Sequence, residues 1–244
     1  MNINFMTWNT QLYEYGNKSF KRKNIDDGKK ILSEQIEIVL SYLEKENSIV
    51  VLQEIPYKSN ITWKEHELFV EFKNNFPENQ YSLIYNVNNN YQIKMTVVIS
   101  KKEFIKPNIE GVNNNCCVSF TINGTDLNVL GVHSHNAFEL RELLFTKELV
   151  RPNIMLGDFN SGNYLKQNED NKIVVNRQNY LLLTEGYIDI CQGEYTHHIY
   201  KTHIDHILLE NSNEFLEKHK YNNVIVDRKI TLSDHYPIYC EIMI

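Results

Sequence analysis

Apolar and polar positions change rhythm several times along the chain, and each change predicts an element. Residues 2–8, "NINFMTW", alternate as a strand with one buried face does. Between 28 and 46, Ile31, Leu32, Ile36, Val39, Leu40 and Leu43 recur at helical spacing. "SIVVLQE", residues 48–54, is a short apolar run ending in a carboxylate, as a buried strand would. The pattern then predicts a helix over 62–76 and strands over 81–86 and 93–100. Residues 116–133, "CCVSFTINGTDLNVLGVH", read as a hairpin turning at Asn123 and Gly124. An amphipathic helix over 137–149 and a strand in "NIMLGDFN" follow. A helix near 176–184 precedes short strands around 187–190, 203–209, 222–228 and 236–243.

No internal repeat, low-complexity tract or Pro-rich linker divides this series, and the Asn-rich patches at 86–90 and 112–116 read as loops. The simplest packing is α/β: a four-layer sandwich of two β-sheets face to face with helices outside, one domain over 1–244. The strand–helix alternation is too irregular for a barrel of eight parallel units.

Composition narrows the class. The 244 residues are 42% hydrophobic and 23% charged, ordinary for a soluble globular chain. No run approaches the roughly 20 apolar residues of a membrane span. "MNINFMTWNTQ" has neither the basic nor the apolar region of a signal peptide, so a cytoplasmic protein is expected. On that expectation the glycosylation patterns at Asn60 and Asn123 are chance matches. Cys116, Cys117, Cys191 and Cys240 form no C-x-x-C pair, and buried thiols are expected rather than a zinc site or disulfides. A net charge of −6 gives no overall basic footprint for nucleic acid. The one basic cluster, "KSFKRKN" at 18–24, reads as a solvated loop, with a phosphate-binding arm as the alternative. A surplus of acids suits an enzyme that gathers carboxylates around a divalent cation.

The candidate chemistry sits where strands end. "FMTWN" ends at Asn9, "VVLQE" at Glu54, "VLGVHSHN" at His133, His135 and Asn136, and "IMLGDFN" at Asp158 and Asn160. "KTHIDHILL" places Asp205 at a strand start, and "TLSDHYPI" places Asp234 and His235 just before the last strand. Rigid strands commonly hold out functional residues at such junctions. Each has a plainer reading: Asp158 and Asn160 as turn formers, Glu54 as a solvated rim residue, Asp234-His235 as a turn before Pro237. The hard oxygen donors suit Mg²⁺ or Mn²⁺, with the remaining carboxylates and a histidine free for acid–base work. His133 and His135, two apart on a strand, are the alternative of a zinc pair. His197 and His198 are expected at the surface, with a place lining the substrate cleft as the alternative.

Taken in order, Trp8-Asn9, Gln53-Glu54, His133, Gly157-Asp158-Phe159-Asn160, Asp205 in "HIDHILL" and Ser233-Asp234-His235-Tyr236-Pro237 resemble the endonuclease/exonuclease/phosphatase superfamily, the DNase I-like phosphoesterases. The resemblance spans residues 8–237. It implies a DNase I-like fold and a Mg²⁺- or Mn²⁺-dependent phosphoester hydrolase. It implies metal binding by Glu54, with Asn9 in the same polar cluster and Asp234 toward a second ion. Asp158 and Asn160 would hold or activate the attacking water, and Asp205 would orient His235. His235 would be the general base, or would contact the phosphate while Asp158 is the base. His133 would contact the phosphate or protonate the leaving oxygen.

The chain also departs from the apurinic-endonuclease pattern. Gln11 stands where those enzymes have Asp, His133 where they have Tyr, and His203 where the family has Arg. The 45-residue interval from Asn160 to Asp205 leaves little room for a lesion-reading loop. A nuclease or phosphodiesterase is therefore expected first, with DNA or RNA among its candidate substrates. A small-molecule or lipid-headgroup phosphatase or phosphodiesterase of the same fold is the alternative. A non-catalytic binding module is the rival from another class, and the filled site positions count against it. No obligate protein partner is evident.

Overall fold

The computed structural model describes residues 1–16, 24–59, 62–86, 93–111, 114, 116–135, 137–145, 151–163, 171–191 and 194–244. The basic cluster at 18–24, the Asn-rich patches, Asn60 and Asn136 fall wholly or partly outside these residues.

Two six-stranded sheets carry the molecule. The first runs β11(Lys220–Val226), β12(Ile238–Met243), β1(Asn2–Asn9), β2(Ser48–Pro56), β4(Lys94–Lys101), β3(Tyr81–Tyr85). The second runs β5(Ile105–Pro107), β6(Cys117–Ile122), β7(Asn128–His133), β8(Ile154–Asp158), β10(Asp205–Glu210), β9(Tyr187–Asp189). Across each sheet the pairings follow one order: antiparallel, antiparallel, parallel, antiparallel, antiparallel. The parallel pairs are β1–β2 and β7–β8, and a crossover helix joins each: α1(Ile25–Leu43) and α3(Ala137–Phe145). Among the described residues the other α-helices are α2(Glu67–Asn74), α4(Asn171–Leu183) and α5(Asn213–Lys218).

Strand alternation sorts the side chains into layers. In β1, Ile3 and Phe5 enter the core between the sheets with Val51, Phe120, Val129, Leu156 and Ile207. Met6 and Trp8 face outward, onto a cluster with Ile36 and Val39 of α1 and Phe69 and Phe72 of α2. On the far side, Leu130, Met155 and Leu208 meet Leu140 of α3 and Tyr180 and Leu183 of α4. Each fully buried Leu, Ile or Phe stabilises this packing by about 1.5–3 kcal/mol. The four-layer sandwich expected from the sequence is the fold observed. Among the described residues no helix is long and apolar enough to cross a membrane.

Local details depart from the periodicity. Helix α1 starts at Ile25 because the Asn24 side chain accepts the Asp27 N–H at 2.8 Å and Asp26 and Asp27 fill the first turn. Helix α2 starts only at Glu67, where the His66 side chain caps it, because Lys58 and Glu65 pair as a β-bridge just before. The expected hairpin forms, but Asn123-Gly124 is not a two-residue turn. Gly124 (φ +80°) follows a negative-φ Asn123, Thr125 N–H closes on the Ile122 carbonyl at 3.1 Å, and the loop extends to β7. Strand β5 and helix α5 carried no expectation, being too short for a periodicity to register.

Candidate active site

The carboxyl ends of the two parallel pairs face one another, and Asn9, Glu54, His133 and Asp158 stand at those four ends. Strands β10 and β12 run antiparallel to their neighbours, so Asp205 and His235 enter from their starts at the same edge. Ligand sites of mixed α/β sheets favour this position.

Strand β8 aims Asp158 by alternation: Ile154 and Leu156 point into the intersheet core, and Asp158 continues that face. Gly157 has φ +142°, and a Cβ there would lie 1.9 Å from the Val132 carbonyl oxygen, so no side chain fits. Asn160, at φ +48°, turns the chain, donating its N–H to Asp158 Oδ1 at 2.8 Å and its Nδ2 to the Ser134 carbonyl at 2.9 Å. The turn role of this Asp–Asn pair and its place in the cluster therefore coexist.

Glu54 reaches the site by another route. Simple alternation would send it outward with Leu52. The β2–β4 register shifts between Leu52 and Ile55, and Glu54 takes φ +58°. This bulge turns Glu54 toward the site while Gln53 donates to Thr7 Oγ1 at 2.9 Å. The rim reading of Glu54 is wrong: the residue is 8% exposed.

Two imidazole–carboxylate pairs converge on Asp158. His133 Nε2 lies 3.2 Å from Glu54 Oε1, which Lys94 Nζ also meets at 3.0 Å. His235 Nδ1 lies 2.8 Å from Asp205 Oδ2. The Nε2 atoms of both histidines stand 3.9 Å from Asp158 Oδ2, the oxygen to which Asn9 Nδ2 donates at 2.8 Å. Asp234 completes the ring, accepting from Gln11 Nε2 at 2.9 Å and facing His197 Nε2 at 3.4 Å and His235 Nε2 at 3.7 Å.

Burial and charge set the protonation states. Burial opposes the Glu54 charge, but His133 and Lys94 outweigh it and hold the carboxyl down at about 2. Burial likewise opposes charge on His133, yet the Cys116 side chain, Glu54 and Asp158 raise it to about 9. His235 rises to about 10 against its burial, through Asp205, Asp158 and Asp234. Burial and the Asp205 charge push Asp158 up. Asp205 is held down despite burial, chiefly by His235.

A cleft of about 350 Å³ opens over this cluster, lined by Glu54, Asn160, Asp234 and His235 and also by Gln11, Tyr13, Glu14, His197 and Tyr200. A larger hollow of about 720 Å³, between α1 and β11–β12, holds none of the eight expected site residues. All eight, Asn9, Glu54, His133, Asp158, Asn160, Asp205, Asp234 and His235, lie in the cluster. His135 is exposed beyond the end of β7, so the H-x-H pair does not share a strand face. His197, expected at the surface, is 5% exposed, its ring 4.7 Å from that of His235; a β-bridge between the two residues draws it in, which no local pattern signals. Lys94 also carried no expectation, and Gln11 stood out only as a departure from the apurinic-endonuclease pattern. Cys117, Cys191 and Cys240 are buried thiols as expected, while Cys116 is half-buried beside His133.

No family model and no curated protein matches the sequence. Solved structures do. Humanized D. rerio TDP2 is 16% identical with TM-score 0.62, over 100% of this chain and 99% of that one. An AP endonuclease from Leishmania major is 11% identical with TM-score 0.63, over 98% and 87%. A mannosyl-6-phosphatase from Bacteroides thetaiotaomicron is 14% identical with TM-score 0.58, over 99% and 100%. These matches are endonuclease/exonuclease/phosphatase-type proteins, and the fold they share with this chain is the DNase I-like fold.

Proposed function

We propose that this chain, built on the DNase I-like fold, is a divalent-metal-dependent phosphoester hydrolase working as one domain over 1–244, first as a nuclease or phosphodiesterase. One observation carries the reading: Asp158 Oδ2 lies 3.9 Å from the Nε2 atoms of two carboxylate-paired histidines. A carboxylate between two imidazole edges suits holding a water in line with a phosphoryl group that both imidazoles contact.

The donor set fits a hard cation. Glu54 is ionised and lines the cleft beside Asp234, and the Asn9 side chain adds an amide to the same cluster. Glu54, Asn9 and Asp234 would hold Mg²⁺ or Mn²⁺, which would supply positive charge to a phosphoryl oxygen.

The chain's own residues do the rest. Asp205 accepts the Nδ1–H of His235 and so turns Nε2 to the cleft. Held charged by its carboxylate neighbours, His235 neutralises a phosphoryl oxygen. Asp158 and Asn160 position the attacking water, and Asp158 takes its proton. His133, held protonated by Glu54, gives its Nε2 proton to the leaving oxygen.

A second reading has its own observation. Among the described residues no Lys or Arg lines the 350 Å³ cleft, whereas Glu14, Glu54 and Asp234 do. Tight duplex binding gains from cationic contacts, and this cleft offers few. A mononucleotide, sugar phosphate or lipid headgroup suits its size and charge.

Hydrolysis of bis-p-nitrophenyl phosphate and p-nitrophenyl phosphate, with Mg²⁺, Mn²⁺ or EDTA, tests the reaction class. No metal-dependent turnover of either ester would sink it. A panel of single- and double-stranded DNA, RNA, abasic DNA, nucleotides, inositol phosphates and sphingomyelin separates the two substrate readings.

A further inference from the structure

Behind the catalytic cluster, on the outer face of the second sheet, lies a second constellation that the proposed reaction does not use. Strand alternation creates it: Asp205 points inward to His235, so His206 points outward, toward α4. There Asp189, His203 and His206 bring one oxygen and two nitrogens within 4.8 Å of one another. Asp189 Oδ2 is the focus, 2.8 Å from His206 Nδ1 and 3.7 Å from His203 Nε2.

The surrounding hydrogen bonds fix the roles of these atoms. His206 Nε2 lies 2.7 Å from the Ser161 carbonyl, which can only accept, so Nε2 carries a proton. His206 Nδ1 meets the Asp189 carboxylate either as the second N–H of an imidazolium or, as a lone pair, across a bound cation, with Tyr180 Oη 3.1 Å from the same nitrogen. A proton on Nδ1 would serve that contact alone. It would leave His203 Nε2, a buried nitrogen without a hydrogen-bond partner, facing the same oxygen unsatisfied. A metal ion would satisfy all three atoms at once.

We propose that Asp189, His203 and His206 form a binding site for a borderline divalent ion of the Zn²⁺ type, separate from the catalytic cleft. Two imidazoles and one carboxylate are a zinc donor set rather than a magnesium one. In a tetrahedral zinc site, ligand atoms about 2.0–2.1 Å from the metal stand roughly 3.3 Å apart. The observed 2.8 and 3.7 Å bracket that spacing. The supporting contacts match what such ligands ordinarily have. His206 donates its other ring proton to a backbone carbonyl, Tyr180 Oη donates to Asp189 Oδ2 at 2.8 Å, and the Cys191 N–H holds Asp189 Oδ1 at 2.9 Å.

The site's place gives it a structural effect. His206 pairs with Gly157 across β10 and β8, and its Nε2 holds the Ser161 carbonyl just past Asn160. An ion there ties β9, β10 and the loop after β8 together from behind, while Asp158 and Asp205 work on the other face.

The test uses the whole chain carrying Glu54→Gln and Asp234→Asn, which removes two candidate catalytic metal ligands. Co²⁺ is the spectroscopic probe, and Zn²⁺ is titrated with 10 mM Mg²⁺ present. One equivalent of Zn²⁺ that excess Mg²⁺ does not displace, a visible Co²⁺ band of four-coordinate intensity and a Zn²⁺-dependent rise in Tm are expected. His203→Gln, whose Nε2 makes no hydrogen bond to lose, should fold and weaken Zn²⁺ binding by about 100-fold. Absence of a Zn²⁺-dependent Tm rise, or unchanged Zn²⁺ affinity in His203→Gln, overturns the proposal. Mg²⁺-dependent ester hydrolysis by the unmodified chain is scored separately, so the two readings fail independently.

Discussion

His235 Nδ1 sits 2.8 Å from Oδ2 and 3.0 Å from Oδ1 of Asp205, a carboxylate 30 positions earlier on a different sheet. Both groups are buried, and the contact decides which edge of the imidazole faces the cleft. Trp8 Nε1 holds the His235 carbonyl at 3.0 Å, so the backbone is tied as firmly as the ring.

On the proposed mechanism this pairing makes Asp205 a positioning residue. In Asp205→Asn the ring can rest in the other tautomer, and kcat should fall by about 10²–10⁴. His235→Ala should cost a similar factor, and the double variant little more than either alone. Multiplying losses in the double variant would show that the two residues act separately.

Asp158→Asn keeps the shape of the side chain and removes its basicity. Turnover should drop at least about 10²-fold while Tm changes little. Wild-type kcat in this variant would refute Asp158 as the proton acceptor.

Glu54→Gln tests the metal reading. It should raise the Mg²⁺ concentration needed for half-maximal activity by about tenfold or more, with partial recovery in excess Mn²⁺. An unchanged Mg²⁺ requirement would remove Glu54 from the ligand set.

Stability of the EDTA-treated protein should depend on pH in a set direction. His133 and His235 titrate near 9 and 10 in the fold against 6.5 unfolded, so their contribution is complete below 6.5 and is lost as pH rises through 9–10. Glu54 titrates near 2 against 4.5, so its contribution holds above 4.5 and is lost as pH falls through 2. Urea melts at pH 6 and pH 9.5 should show the higher-pH loss, and His133→Gln should reduce it.

Gly157→Ala places a methyl group 1.9 Å from the Val132 carbonyl oxygen, against backbone that cannot yield without parting β7 from β8. Destabilisation of about 3 kcal/mol or more, or failure to accumulate folded protein, is expected. A Tm within a few degrees of wild type would mean the strands can shift.

Much of this was legible in one dimension because the physics is local. Alternation in β1, β7 and β8 marks which side chains enter the intersheet core, and an acid or imidazole continuing an apolar face stands out at the strand end. Asn9, His133, Asp158 and Asn160 announce themselves in this way, and the order of motifs through Ser233-Asp234-His235 carried the fold. Elements shorter than a helical turn or two, such as β5 and α5, have no periodicity to read. Glu54 sits at a strand end in sequence, but a positive-φ bulge opposite Thr96 is what turns it inward. Pairings between distant segments are invisible locally: Lys94 with Glu54, His197 beside His235, and Asp189 with His203 and His206. Each depends on which strands neighbour one another and on the register between them. The sequence by itself determined which faces are buried and which strand ends carry polar groups, because both follow from side-chain period. Tertiary structure alone decided which of those ends share one cleft and which polar groups gather behind it, because strand order and register set those distances.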